Sequence, residues 1–255
     1  MLLLHSLHSE WLKTKRSAAS WLCLIGGFIL PLMFLVGLLK DHRTIDNLKG
    51  QLNPWLIYAS DLWRFMGILL LPMGIVLAAS LIAQAEYRNN TWKQLHTTPQ
   101  PYPVIFLAKF LVILLMTLQF FIYFNIGLLL SALIPSLVFD GSLPVAVIPV
   151  RTLLWMSGRF FVCCLPVLAL QYLFSMLFRN FLVSIGIGLV AVVASLILIE
   201  TWPYAWLSPY SYSQLSVMRP GHAPGSANIY ACALAWFTAV LPIAYILYRY
   251  QKYKG

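Results

Sequence analysis

The sequence predicts an all-α integral membrane protein with six transmembrane helices, and three observations support this class. Hydrophobic residues make up 61% of the 255 residues and charged residues only 9%, whereas soluble domains carry roughly 25% charged residues. The apolar residues are collected into runs of the length that a membrane-crossing helix needs, about 20 residues. The alternating pattern of a membrane barrel strand is absent. Helices therefore remain as the spanning structure whose backbone satisfies its own hydrogen bonds.

The uncharged runs divide the chain into six predicted spans, which form a single membrane domain over residues 1–255. The predicted spans are 18–39, 64–85, 104–134, 154–178, 181–200 and 229–249. The ends of the third and fourth spans carry an error of about four residues. Amide side chains fall inside the spans at Gln119, Asn125 and Gln171, where we expect them to join neighbouring helices. All four cysteines also fall inside spans and are expected to be small core residues.

Residues 1–17 are predicted to form an amphipathic interface helix ahead of the first span. Apolar side chains of this segment fall at helical spacing on one face, namely Leu3, Leu4, Leu7 and Trp11. Such a helix lies in the plane of the lipid headgroups. The segment from Glu10 to Arg16, which includes Lys13 and Lys15, either only anchors the first span or also contacts a cytoplasmic partner.

A polar segment, AEYRNNTWKQLHTTPQPYP at residues 85–103, separates the second and third spans. Asn89, Asn90 and Thr91 have side chains that cap helices, so a short helix is predicted from Trp92 to about His96. The prolines that follow end this helix and stiffen the return to the third span. Residues 86–103 are therefore predicted to be a rigid projection that can transmit a push. The alternative is an ordinary solvated loop.

On the opposite side, residues 40–62 read as a mixed-charge loop without a motif and residues 135–153 as a short linker. Residues 201–228 are rich in Trp and Tyr, which favour the membrane interface. We expect this aromatic segment to lie along the membrane surface as short helices or a re-entrant turn, either as a plain aromatic belt or in contact with substrate. The candidate contacts are Trp202, Trp206 and Tyr210.

Arg159, in the fourth predicted span, is the one charge that we expect to lie inside the lipid boundary. Charged residues inside membranes are functional candidates by default. Arg159 lies near the outer end of the fourth span, however, and its long side chain can also reach back to the headgroups. A contact with substrate or with the membrane surface is therefore expected there.

The distribution of charge predicts the orientation of the chain. The side that holds both termini carries ten basic and two acidic residues, and the other side seven basic and five acidic residues. Because lysine and arginine favour the cytoplasmic side, both termini and residues 86–103 are predicted to be cytoplasmic, in a multi-pass protein of the cytoplasmic membrane. The basic residues flank the membrane and contact anionic lipid, so nucleic acid is not expected as a partner.

The sequence carries no motif for chemistry of its own. It has no zinc-protease motif, no nucleophile elbow and no phosphate-binding loop of the Walker type. Ion-coupled transport is disfavoured because buried ionisable groups are scarce. The chain is therefore predicted to be neither an enzyme nor a binder of metal or other cofactors, and a pump built on it needs a motor on another polypeptide.

Two stretches carry a resemblance to a known family. EWLKTKRS before the first span resembles the start of many ABC-2 type permeases. AEYRNNTWKQLHTTP, followed by Lys109 in the third span, resembles their first cytoplasmic loop. Six spans with an extended outer segment between the last two also match. The chain resembles in particular the permease subunits of lantibiotic-immunity and related antimicrobial-peptide exporters.

The resemblance implies an exporter of an amphipathic peptide or lipid-like substrate. It implies a second six-span permease, identical or homologous, and two copies of a separate ATPase that bind ATP and Mg. Residues 86–98 would be the coupling helix and residues 2–16 the interface helix beside it. The implied ATPase contacts are Glu86, Arg88, Thr91, Trp92, Lys93, Glu10, Lys13 and Lys15.

Two other functions stay open from the sequence. The first is an intramembrane lipid-modifying enzyme, which is weakened because no cluster of catalytic His, Asp or Glu lies at one membrane depth. The second is an assembly factor without transport. A neighbouring gene for an ATPase with a Walker motif would favour the exporter, and a setting among lipid-synthesis genes would favour the enzyme.

Overall fold

A computed structural model of the protein describes residues 2–15, 17–40, 53–88, 101–138, 149–178, 180–217 and 228–251. All regular secondary structure in these ranges is helical. Six of the helices are long and apolar enough to cross a membrane. The six-span, all-α class predicted from the sequence is therefore confirmed.

Nine α-helices follow one another along the chain. They are α1 (Leu2–Thr14), α2 (Ala18–Lys40), α3 (Pro54–Phe65), α4 (Leu71–Arg88), α5 (Tyr102–Val138), α6 (Val150–Leu177), α7 (Phe181–Thr201), α8 (Tyr212–Leu215) and α9 (Ile229–Gln251). A π-helical turn, Met66–Leu70, joins α3 to α4. A 3-10 turn, Ala205–Leu207, precedes α8. The spans are α2, α3 together with α4, α5, α6, α7 and α9.

The second span begins ten residues earlier than the sequence predicted, at Pro54. The prediction of a loop over residues 40–62 is therefore wrong from residue 54 onward, where the chain is helical. Asp61 and Arg64 suggested a span boundary, but both are exposed on one side of α3. The opposite side buries apolar residues, and Tyr58 donates a 2.7 Å hydrogen bond to Ser131 of α5. The linker expected at 135–153 is also shorter, because α5 extends to Val138 and α6 begins at Val150.

The longest helix, α5, lies at the centre of the packing. α2 packs along α5, α9 packs along α6, and α4 contacts α2, α6 and α7. A close approach between α2 and α5 depends on Gly27, where a Cβ atom would lie 2.7 Å from the Cβ of Tyr123. Trp63 of α3 stacks on Phe160 of α6 with ring centroids 4.7 Å apart, and this contact joins the second and fourth spans.

Buried amides join the spans, as predicted for two of the three positions. Gln171 of α6 is fully buried and donates to Ser80 of α4 and to the Ser184 carbonyl of α7, both at 2.9 Å. Asn125 of α5 donates to Ser157 of α6 at 2.9 Å. Gln119 instead donates to Tyr123 of its own helix, so the prediction was wrong there. These contacts satisfy the N–H donors of the two amides where lipid offers no partner.

Candidate coupling surface and aromatic segment

The interface helix α1 docks on the beginning of α5 through small and polar side chains. Ser6, Glu10 and Thr14 are buried and follow one another at intervals of four residues, so they lie on one face. Leu3 and Leu4 are exposed. Leu7 and Trp11 are half-buried and pack against the core, so only part of the apolar face named in the sequence analysis is exposed. The expected position of those leucines in the headgroups stays a prediction.

A buried ion pair fixes α1 to α5. The Glu10 carboxylate lies 3.3 Å from the Lys109 ammonium and also accepts from Lys13. Glu10 is 7% exposed and Lys109 3%. Burial raises the pKa of Glu10, but the charges of Lys109 and Lys13 outweigh it, and the pKa lies below its ordinary value of 4.5. Glu10 is therefore ionised at neutral pH, as the buried lysine requires.

The beginning of α5 is also held from the other side. Tyr172 of α6 donates a 3.0 Å hydrogen bond to the Phe106 carbonyl. The Phe106 ring contacts Tyr172 and Tyr245 of α9, with centroids 5.0 and 5.5 Å away. Glu10 thus joins α1 to α5, and the contacts of Phe106 join α5 to α6 and α9.

The predicted ATPase contacts are placed in three groups. Glu10 and Lys13 meet each other on α1, and Lys13 and Lys15 are exposed. Glu86 and Arg88 belong to the last turn of α4, so the second span continues into the polar segment. Thr91, Trp92 and Lys93 lie outside the described residues, and their role stays a prediction.

The aromatic segment enters the helix bundle instead of lying wholly on its surface. It forms the short helices that the sequence predicted, the 3-10 turn and α8. Trp202 is exposed and Trp206 half-buried, but Tyr210 is only 5% exposed and the residues of α8 are buried. Tyr210 therefore does not face the bilayer, and burial raises the pKa of its phenol. Contact with substrate stays a prediction for all three side chains.

Gln214 of α8 is bound at the π-helical turn. Its Nε2 donates to the Ile68 carbonyl at 3.2 Å, and its Oε1 accepts from Ser195 of α7 at 3.0 Å. In a regular helix the Ile68 carbonyl would accept from residue 72, but Pro72 has no N–H. Gln214 thus supplies a donor at a carbonyl that has lost its α-helical partner. π-helical turns are often found at functional sites.

Arg159 joins α6 to α9. Its Nε donates to the Tyr230 hydroxyl of α9. Its guanidinium carbon lies 4.5 Å from the ring centroid of Trp155 and 5.3 Å from that of Tyr230. Trp155 is one turn nearer the beginning of α6, so the side chain points back toward that end, as expected of an arginine that reaches for the headgroups.

Comparison with known proteins identifies the family. The family model described as ABC-2 family transporter protein matches residues 6–195, which is about three quarters of the chain. The chain belongs to the ABC-2 transporter family. A search of curated proteins finds no match.

An ABC-2 permease is the membrane subunit of an ABC transporter, and the family implies an ABC ATPase partner in general. The match begins within α1 and includes the docking of α1 on α5. It ends within α7, before the aromatic segment and α9. Among the described residues, no group of three or more His, Cys, Asp or Glu side chains lies together to hold a metal ion.

Two long-range contacts were missed from the sequence. The Glu10–Lys109 pair joins residues 99 positions apart, and its signal was a lone lysine inside an otherwise uncharged stretch of the third span. The Gln214–Ile68 contact joins residues 146 positions apart. Its signal was Pro72 within a span, which frees a carbonyl that some donor must satisfy.

Proposed function

We propose that this ABC-2 permease is a subunit of an ATP-driven exporter, powered by an ATPase on a separate polypeptide. Besides the family match, the observation that carries the proposal is the buried Glu10–Lys109 pair. Lys109 lies seven residues after the first residue of α5, which is about 10 Å along a helix. α1 is therefore fixed close to the end of the loop that is predicted to receive the push.

In this proposal residues 86–98 form the coupling helix that sits in a groove of the ATPase. Glu86, Arg88, Thr91, Trp92 and Lys93 contact the ATPase. Lys13 of α1 and Lys15, which follows the end of α1, add exposed positive charge beside it. Glu10 acts within the permease, because its buried carboxylate holds α1 to α5 and lets the two helices move together.

The complete transporter contains two copies of the ATPase, which bind ATP and its Mg, and a second six-span permease that is identical or homologous. ATP binding brings the ATPases together, the coupling helices follow, and the two permeases rock against each other. The proposed substrate is an amphipathic peptide or lipid-like molecule, such as the antimicrobial peptides that immunity exporters remove. It leaves past the aromatic segment.

The proposed orientation places both termini and residues 86–103 in the cytoplasm and residues 201–228 outside. The excess of basic residues on the side of the termini supports it. Gln94→Cys tests it in intact cells with a membrane-impermeant thiol reagent. No labelling from outside is expected at this position, and labelling there would show that the chain has the opposite orientation.

The experiment that tests the function is co-purification with the ABC ATPase encoded nearest to this chain, followed by measurement of ATP hydrolysis. We expect the permease alone to be inert to ATP and the complex to hydrolyse it, with stimulation by a subset of amphipathic peptides. Hydrolysis by the homogeneous permease alone would overturn the proposal.

A further inference from the structure

We propose that Arg159, Trp155 and Tyr230 form a binding site for a phosphate group at the headgroup level of the membrane, on the side where α6 begins. The inference goes beyond the proposed function, since it depends neither on the ATPase nor on which side faces the cytoplasm. It starts from a half-buried cation inside a span. Such a charge is costly in lipid unless something compensates it.

The depth of Arg159 places its guanidinium at the edge of the hydrocarbon. α6 has 28 residues, which makes it about 42 Å long against a hydrocarbon core of about 30 Å. With α6 centred in the bilayer, the Cα of Arg159 lies roughly 8 Å inside the hydrocarbon. The side chain turns back over Trp155, and this brings the guanidinium to the edge of the hydrocarbon, within reach of the headgroup phosphates.

The hydrogen-bond donors of Arg159 are only partly used. Nε donates to the Tyr230 hydroxyl, which fixes the plane of the group. An arginine has five N–H donors, so four remain on the two terminal nitrogens. Among the residues that the structure describes, no carboxylate lies within ion-pair distance of these two nitrogens. The ion pairs found in the described residues are those of Glu10 with Lys13 and with Lys109. Two parallel N–H donors match a phosphate, which accepts them in bidentate fashion.

The surroundings of Arg159 leave room for a headgroup. A Cβ atom added at the adjacent Gly158 would meet nothing within 4 Å. Trp155 is 61% exposed, and Trp and Tyr rings favour the headgroup level. The two rings hold the guanidinium by cation–π contacts and leave its far edge to a ligand. The ligand is a phosphate monoester or diester, carried by a phospholipid or by a free phosphate compound.

The test measures the affinity of the purified full chain, in uncharged detergent, for soluble short-chain lipids. Dihexanoyl phosphatidylglycerol carries the phosphate, and dihexanoylglycerol lacks it. We expect Arg159→Gln to weaken the binding of the phosphatidylglycerol at least about tenfold, about 1.4 kcal/mol, and to leave the binding of dihexanoylglycerol unchanged. Inorganic phosphate alone separates the sources. Displacement of the lipid by millimolar phosphate indicates a free phosphate ligand, and no displacement indicates a phospholipid headgroup.

Arg151→Gln is the matched control, because Arg151 is an exposed cation two turns earlier on α6. It should keep the preference for the phosphate-bearing lipid. Arg159→Lys keeps the charge but loses the paired N–H donors of the guanidinium. We expect a several-fold loss of affinity for phosphatidylglycerol in a chain that still folds. Equal affinity of wild type and both Arg159 variants for phosphatidylglycerol would overturn the site. An equal loss in Arg151→Gln would also overturn it, since that result means diffuse surface charge.

Discussion

Neutralising one member of the Glu10–Lys109 pair should release α1 from α5. Lys109→Met leaves the buried Glu10 carboxylate with Lys13 alone, and Glu10→Gln removes the charge that faces Lys109. Removing one partner of a buried ion pair costs about 3–5 kcal/mol. We expect a value near 3 kcal/mol, because Lys13 still contacts Glu10 in the first variant. This raises the population of undocked α1 about a hundredfold.

The assay uses Ser6→Cys as a reporter, since Ser6 is 5% exposed against α5. The rate of maleimide labelling at position 6, read by peptide mass spectrometry, should rise steeply in either variant. Leu4→Cys, on an exposed part of the same helix, should label at one rate in all backgrounds. Lys15→Met removes an exposed cation and should change neither rate.

The double variant decides whether the two charges act together. If they form one interaction, the loss of docking free energy of α1 in the double variant Glu10→Gln with Lys109→Met should be clearly smaller than the sum of the losses in the two single variants. Additive costs, or unchanged labelling at position 6 in Lys109→Met, would refute the claim that this pair holds α1.

Three further predictions concern other contacts. Gln214→Leu should remove the side-chain donor at the Ile68 carbonyl and lower the free energy of unfolding by about 1–3 kcal/mol, which is measured as a lower Tm in detergent. Tyr204→Phe, in the exposed part of the same segment, should not change the Tm. Gly188→Ala should lower the free energy of unfolding by about 1–3 kcal/mol, because the new Cβ would lie 2.4 Å from Gln171 Oε1 and 2.6 Å from Val76. Gly186→Ala is the matched control, because a Cβ at that position would meet nothing within 4 Å. Because the pKa of Glu10 is lowered from 4.5, its stabilisation of α1 is present above that pH and is lost as pH falls below it. Relative to the cleavage of an unstructured reference peptide, pepsin cleavage in α1 should therefore increase below about pH 4.5 in wild type, and this increase should be absent in Glu10→Gln.

The spans could be predicted from the sequence because lipid leaves few alternatives for a long apolar run. The failure at Pro54 has a definite cause. Charged residues such as Asp61 and Arg64 ended the predicted span, although one exposed side of a helix accommodates them while the opposite side stays buried. An analysis by helical face, with Trp55, Tyr58 and Leu62 at helical spacing, would have extended the span.

The site was only partly predictable for a different reason. Composition identified Trp and Tyr in residues 201–228 as interfacial, but the direction in which Tyr210 points depends on how α8 packs on the π-helical turn. Likewise, the amphipathic pattern of α1 drew attention to leucines, whereas the buried residues of this helix are Ser6, Glu10 and Thr14. Long-range pairings of this kind follow from the packing of the helices and not from local pattern.

The measurement that tests the central claim most directly is the affinity of the ABC ATPase for the permease with Trp92→Ala and with Lys93→Ala. An aromatic anchor in a desolvated pocket carries about 2 kcal/mol or more of an interface, and charges at the rim much less. We predict that Trp92→Ala weakens the complex roughly thirtyfold, with normal yield of folded permease, and that Lys93→Ala has a far smaller effect. Normal ATPase affinity together with full export by Trp92→Ala would contradict the assignment of residues 86–98 as the coupling helix.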